Sequence, residues 1–234
     1  MNPLVSEFVG TFILLLLGNG VNANVSLNKT YAQNSGWLVI SLGWGIAVFV
    51  AVFVAGSSSG AHINPAVTLG LAMVGKFAWS SVPGYIAMQF LGAFCGAGLT
   101  YIHFRPHFTA TDDPDTILGL FCTSPAIKNF KNNLVSEIIG TFALVFAVFF
   151  LVSGDGLGSL SALPVALLVV GIGLSLGGTT GYAINPARDF GPRLFHALAP
   201  IKGKRDSNWS YAVIPLLGPC VGALAAAGVY LLIF

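Results

Sequence analysis

The chain has 234 residues, of which 55% are hydrophobic and only 8% charged, and its formal net charge is +2. Soluble domains carry about 25% charged residues, so this composition is that of an integral membrane protein and argues against a soluble enzyme domain. The few basic residues form no aromatic-interleaved patch, which argues against nucleic acid as a partner.

The first apolar run, Leu4–Gly20, contains Glu7 and lacks a basic start, so it reads as a span rather than a removable signal peptide. A spanning helix needs roughly 20 mostly apolar residues. The next spans are predicted at Trp37–Ala55 and Val82–His103, separated by the stretch Ser59–Gly70, which contains His62, Asn64 and Pro65. The polar segment 104–133 divides the chain. It is followed by spans at Leu134–Val152, Leu160–Gly177 and Trp209–Phe234, with Thr180–Gly191 between the last two. The apolar runs that begin at Asn64 and Asn185 are about a dozen residues long, which covers about half of a hydrocarbon core. Cys95, Cys122 and Cys220 have no metal-ligand spacing and form no disulfide framework. No metal and no cofactor is expected.

The two halves are related. Leu4–Phe12 recurs as Leu134–Phe142 with seven of nine positions identical, and Ser59–Gly70 matches Thr180–Gly191 at Gly, Ile, Asn, Pro, Ala and Gly. Gly92 and Gly96 are matched here with Gly218 and Gly222. The chain thus reads as one channel domain, residues 1–234, built from repeat half 1–103, linker loop 104–133 and repeat half 134–234. Each half has an odd number of spans, so the second must enter the membrane from the opposite side. Inverted repeats place a functional site near the midplane, at broken helices.

Asn is a good helix N-cap, and Pro is favoured at the first helical position. Asn64-Pro65-Ala66 and Asn185-Pro186-Ala187 therefore each read as the start of a short helix, and inversion lets the two starts face each other. Non-helical backbone at that depth must be buried or line a wet cavity. The carbonyls of Gly60, Ala61, His62 and Ile63, and of Gly181, Tyr182, Ala183 and Ile184, are expected to form a line of acceptors along a pore. The amides of Asn64 and Asn185 would donate into its centre, which two helix N-termini make electropositive. Glu7 and Glu137 lie within spans, where a carboxylate is costly; the alternative is a place at the interface. A lone arginine near a midplane, Arg188, must face a wet cavity or a partner. His62 reads as a satisfied structural residue, and His103 and His107 read as solvated surface.

With both Asn-Pro-Ala motifs in a duplicated six-span frame, and Glu7 and Glu137 in the first helix of each half, the chain resembles the major intrinsic protein family, the aquaporins and glycerol facilitators. The resemblance covers essentially the whole chain. It implies an all-α integral membrane fold, an aquaporin-like bundle of six transmembrane helices plus two re-entrant half-helices. It implies that Glu7 and Glu137, with Asp189, support the re-entrant loops and that Arg188 belongs to a selectivity filter. By spacing to the motifs, Trp44, Gly173 and Tyr182 complete that filter: they lie twenty residues before Asn64, and twelve and three before Asn185. Asp189, Arg193 and the Pro215-Leu216 pair resemble the glycerol-facilitating branch. Tyr182 stands where that branch commonly has Phe, and its hydroxyl is expected to make the filter more polar and slightly narrower.

The function implied is a passive channel for small neutral solutes: glycerol first, then dihydroxyacetone and protonated lactic acid, with water and urea leaking through and ions and protons excluded. A water-selective aquaporin is the alternative, set against by Gly173 where such members typically have His. A proton-coupled carboxylate carrier would need titratable groups, and the spans offer only the two Glu residues. No nucleophile–base pair points to an enzyme. The resemblance implies a homotetramer in lipid, and the short loops favour a bacterial plasma membrane. Seven basic residues outside the half-helices fall in loops that the family's topology places outside, against Lys76 inside, the reverse of the positive-inside pattern; the resemblance implies an inside N-terminus. The chain's abrupt end at Ile233-Phe234 leaves open that basic tails have been trimmed.

Overall fold

The computed structural model describes residues 1–151 and 157–234. Among these described residues ten α-helices follow one another: α1 (Pro3–Ser26), α2 (Trp37–Ser59), α3 (Pro65–Met73), α4 (Val82–His103), α5 (Arg105–Thr109), α6 (Pro114–Phe121), α7 (Phe130–Leu151), α8 (Leu163–Leu176), α9 (Pro186–Leu198) and α10 (Val213–Ile233). Among the described residues there is no strand. Helices α1, α2, α4, α7 and α10 are long and apolar enough to cross a membrane.

The helices are sorted for lipid. Helix α1 buries Glu7, Gly10, Thr11, Gly18, Asn19 and Asn22, while Leu4, Val5 and Leu17 stand exposed. On α2, Leu38, Leu42, Ile46 and Phe53 face outward. Polar groups within a membrane belong on the bundle interior, and small residues let helices approach closely. The first span runs six residues past its predicted end at Gly20, because Asn19 and Asn22 turn inward instead of ending the helix. Helix α8 is shorter than predicted, at 14 residues. Pro164 sets its start, and Gly177 and Gly178 lie just beyond its end. The predicted end of the fourth span, Val152, lies outside the described residues.

Helix α1 packs on α4 as α7 packs on α10. A Cβ on Gly92 would sit 2.4 Å from the Phe8 carbonyl oxygen and 3.0 Å from the Phe12 nitrogen. A Cβ on Gly222 would meet the Ile138 oxygen and Phe142 nitrogen at the same distances. Phe8 and Phe12 correspond to Ile138 and Phe142 in the repeat, so Gly92 is the equivalent of Gly222. The sequence pairing was therefore displaced by one helical turn. Gly96 makes the same approach one turn on, to the Phe12 oxygen at 2.6 Å and the Leu16 nitrogen at 3.1 Å, while a Cβ on Gly218 would meet the Glu137 Cβ at 2.7 Å.

The half-helices cross over between the repeats. Helix α3 packs on α10, and α9 packs on α4. At 9 and 13 residues they are about 14 and 20 Å long. His103 is exposed as expected. His107 is half-buried, with Nδ1 3.1 Å from the Asn28 oxygen, and so ties α5 to the α1–α2 loop.

Candidate functional site

Each half-helix starts as its sequence dictates. Asn64 Oδ1 accepts from the Ala66 amide at 2.9 Å, and Asn185 Oδ1 accepts from the Ala187 and Arg188 amides at 3.0 and 3.2 Å. Pro65 and Pro186 occupy the first helical position, where no N–H is needed.

The four residues before each cap have the same backbone. Gly60, Ala61 and Ile63 have φ of 79°, 47° and 44°; Gly181, Tyr182 and Ile184 have 75°, 35° and 44°. Left-handed backbone is a genuine outlier for a β-branched residue, and each such residue costs about 1–3 kcal/mol. Buried carboxylates hold both loops in place. Glu7 accepts from the His62 amide (2.9 Å) and Ser59 Oγ (2.6 Å) on one oxygen, and from the Ile63 amide and Gln89 Nε2 (both 2.7 Å) on the other. Glu137 accepts from the Ala183 amide at 3.0 Å and the Ile184 amide at 2.9 Å. Both glutamates are fully or almost fully buried, so they lie inside the bundle and not at its rim.

The two motifs meet. Asn64 Nδ2 donates to the Ile184 oxygen at 2.8 Å, and Asn185 Nδ2 donates to the Ile63 oxygen at 2.9 Å. Each amide thus gives one hydrogen to the opposite loop and keeps a second. The carbonyl line is modified accordingly, because Ile63 and Ile184 each spend a lone pair on the facing asparagine. His62 is held by Thr68 Oγ1 at 3.1 Å from its Nδ1 and packs against Phe77 and Tyr85.

Among the described residues, two neighbouring cavities lie within the bundle. A central cavity of about 180 Å3 is lined by the residues of both loops except Gly181, and by Asn64, Asn185 and apolar side chains of α1, α2, α7 and α8. A vestibule of about 190 Å3 is lined by Asn22, Trp37, Cys122, Thr123 and Gly181 among others. Trp44, Tyr182 and Arg188 line both. The Arg188 guanidinium lies 4.3 Å from the centre of the Trp44 ring, and its Nη1 is 3.4 Å from the Phe121 oxygen.

Gly173 lines neither cavity. A Cβ there would lie 2.9 Å from Tyr182 Cζ, 3.0 Å from its hydroxyl oxygen and 3.1 Å from Ser41 Oγ. The space left by Gly173 is filled by the far end of the tyrosine. The hydroxyl is fully buried, so it is turned away from the passage. The expectation that it would polarise and narrow the passage is corrected here: Tyr182 offers ring and not oxygen.

Asp189 does not pair with Arg188. Its carboxylate takes Arg193 Nε at 2.7 Å, the Thr123 amide at 2.8 Å and Thr123 Oγ1 at 2.6 Å. Arg193 continues to the oxygens of Ser207 and Asn208. Asp189 and Arg193 thereby tie α9 to the segments after α6 and before α10. Sequence reasoning missed two residues beside the site. Trp37 donates Nε1 to the Gly173 oxygen at 2.9 Å and stands edge-on to Tyr182. Asn22 accepts from Trp44 Nε1 at 3.1 Å. The only available signal was a run of asparagines, Asn19, Asn22 and Asn24, near the end of an apolar helix.

Fold and site together define a multi-pass membrane channel, with two half-helices entering from opposite repeats. The chain belongs to the major intrinsic protein family, whose model matches residues 1–230. It is 55% identical over 230 residues to a probable glycerol uptake facilitator protein of Thermotoga maritima, covering 98% of each chain. It is 54% identical over 230 residues to a glycerol uptake facilitator protein of Streptococcus pneumoniae, again covering 98% of each. The X-ray structure of the aquaglyceroporin from Plasmodium falciparum matches with a TM-score of 0.81 at 32% identity, covering 97% of this chain and 94% of that one.

Proposed function

We propose that this protein is a passive facilitator of glycerol and similar small neutral solutes, with Trp44, Gly173, Tyr182 and Arg188 as its selectivity filter. One observation carries the reading: the two cavities share Trp44, Tyr182 and Arg188, so a solute moving between them must pass all three. Arg188 supplies donors, with its guanidinium resting against the Trp44 ring. Trp44 and Tyr182 supply apolar ring surface beside it, and Gly173 makes room for the second ring. A triol fits such a slot with its carbon edge on the rings and its hydroxyls toward Arg188 and the free loop carbonyls. The names of the two bacterial relatives support glycerol.

Exclusion follows from the same geometry. A cation meets a guanidinium and two helix N-termini. At the two asparagines a water molecule must accept from both remaining amide hydrogens, which breaks a proton-conducting chain. Glu7 and Glu137 are committed to loop donors, which leaves neither carboxylate free for a carrier cycle. Water and urea are expected to pass, and dihydroxyacetone and protonated lactic acid to fit by size. The exposed Leu and Phe faces of the outer helices suit lipid and subunit packing, in keeping with a homotetramer.

The test is light scattering from proteoliposomes under osmotic shock, with water, glycerol, urea, dihydroxyacetone and lactic acid run side by side, the acid from pH 4 to 8. Fast, pH-independent glycerol entry is the expected result. Fast water flux without solute entry would replace the reading with a water channel. Entry of the protonated acid alone would move the cargo to a hydroxy acid.

A further inference from the structure

Trp44 is held by one face of α1. Its six-membered ring lies where a Cβ on Gly18 would be, 2.4 Å from both Cη2 and Cζ3. Its indole N–H is accepted by Asn22 Oδ1 at 3.1 Å. Gly18 and Asn22 are four residues apart, so they stack on one face of the helix. Asn22 is itself buried, lines the vestibule beside Trp44, and reaches the Leu120 oxygen with Nδ2 at 3.4 Å. The next carbonyl, Phe121, receives Arg188. The end of α6 therefore anchors both the arginine and the asparagine that holds the tryptophan.

A buried indole N–H seeks an acceptor. With Asn22 in place the N–H is satisfied at the back of the ring, and the passage meets only carbon. The Tyr182 hydroxyl is also turned away, toward Gly173 and Ser41, although without a hydrogen-bond partner. The donors of the constriction then come from one side only, that of Arg188.

We infer that Asn22 is a specificity-determining positioning residue: by accepting the Trp44 indole N–H against the seat at Gly18, it keeps the apolar wall of the passage free of donors. This rests on Trp44 belonging to the filter. Without Asn22 the N–H must take its partner from passing water or from the solute, and the ring must turn to do so. Water then gains a donor site at the ring that it lacked, and a polyol loses the fixed apolar ring edge for its carbon chain.

The experiment is a double-mutant cycle in proteoliposomes, reading the ratio of glycerol to water permeability from the same vesicles. Once the flux through protein-free vesicles is subtracted, that ratio is independent of how much channel has folded. Asn22→Leu, close in size and without an acceptor, is expected to lower the ratio by between about twofold and tenfold, the range that one net hydrogen bond spans. Trp44→Phe, which has no N–H, is expected to shift the ratio as well. In the Trp44→Phe background, Asn22→Leu should have no further effect. Full additivity of the two changes would overturn the proposal, because Asn22 would then act by another route. An unchanged ratio in Asn22→Leu beside a shifted one in Trp44→Phe would overturn it and leave the filter standing. An unchanged ratio in Trp44→Phe would remove Trp44 from the filter, and the role of Asn22 with it.

Discussion

Glu137→Gln isolates what the buried carboxylate contributes. The carboxylate offers one oxygen to each of two loop amides, Ala183 and Ile184. A glutamine keeps one acceptor and turns an NH2 group toward the other amide, donor against donor. One buried N–H is orphaned at a cost of about 1–3 kcal/mol, and the surviving bond falls from charge-assisted to neutral, a further ~1 kcal/mol. The total, about 2–4 kcal/mol, is large against the ~5–15 kcal/mol typical of native stability. In a chain of this size it lowers Tm by roughly 4–16 °C. Glu7 makes four such bonds, yet Glu7→Gln should cost only about 1 kcal/mol more, for the second surviving bond that becomes neutral. Ser59 Oγ also reaches the Ala55 oxygen at 3.3 Å, so it can turn there and accept from the new NH2. Again only one backbone amide, that of His62, is left without a partner. Thermal unfolding of the purified variants in detergent measures both, with glycerol flux per folded channel as the control. An unchanged Tm in Glu137→Gln would refute the buttress. A Glu7→Gln effect twice as large would refute the accounting by orphaned donors. Normal yield with pH-coupled flux would support a carrier instead.

Arg188→Val should admit larger or charged solutes, and an unaltered permeability profile would take Arg188 out of the filter. Gly173→Ala should lower glycerol flux more than water flux, because its Cβ displaces Tyr182 by way of Cζ and the hydroxyl; equal loss of both would point to misfolding. Asp113 caps α6 and accepts from the Asp115 amide and Thr116 Oγ1. These bonds, that of Thr116 foremost, hold its carboxyl below the usual aspartate value. A depressed folded value means that the cap's contribution is complete above the ordinary aspartate value of about 3.9 and is lost as pH falls through the lower one. Asp113→Ala should remove about 1 kcal/mol from α6, visible as faster amide exchange across Pro114–Phe121 at pH 7; exchange that does not change would deny the cap a role.

The parts of the site legible in the sequence were those with local chemistry. An Asn followed by Pro announces a helix start, and two such starts in a duplicated frame announce that they face each other. Asn22 was not legible, because its meaning depends on Trp44 and on a carbonyl at Leu120, 98 residues away. The glycine register on α4 and α10 could not be read either. Each helix has glycines one turn apart or nearly so, and only the backbone approach to Phe8 and Ile138 tells which one corresponds. The orientation of the Tyr182 hydroxyl lay outside sequence reasoning for the same cause: residue type gives an oxygen, and the empty seat at Gly173 decides where it goes.

Duplication by itself would give a passage alike at both ends, and the sequence breaks that likeness at four positions. Counted from the two asparagines, Arg188 corresponds to Val67, Tyr182 to Ala61, Gly173 to Val52 and Trp44 to Val165. The count holds through the loops, since the Gly60 amide bonds to the Gly56 oxygen just as Gly181 bonds to Gly177. All four counterparts line the central cavity, and all are apolar. The shared machinery is thus retained twice: the buried carboxylate, the left-handed loop and the capping asparagine. It is retained because each half lends its asparagine to the other half's carbonyl, so losing either copy would open both loops. The residues of the proposed filter are under no such reciprocal constraint. In the proposed reading they diverged at one end only, placing a single arginine and two aromatic rings there and leaving a smooth valine-lined wall at the other.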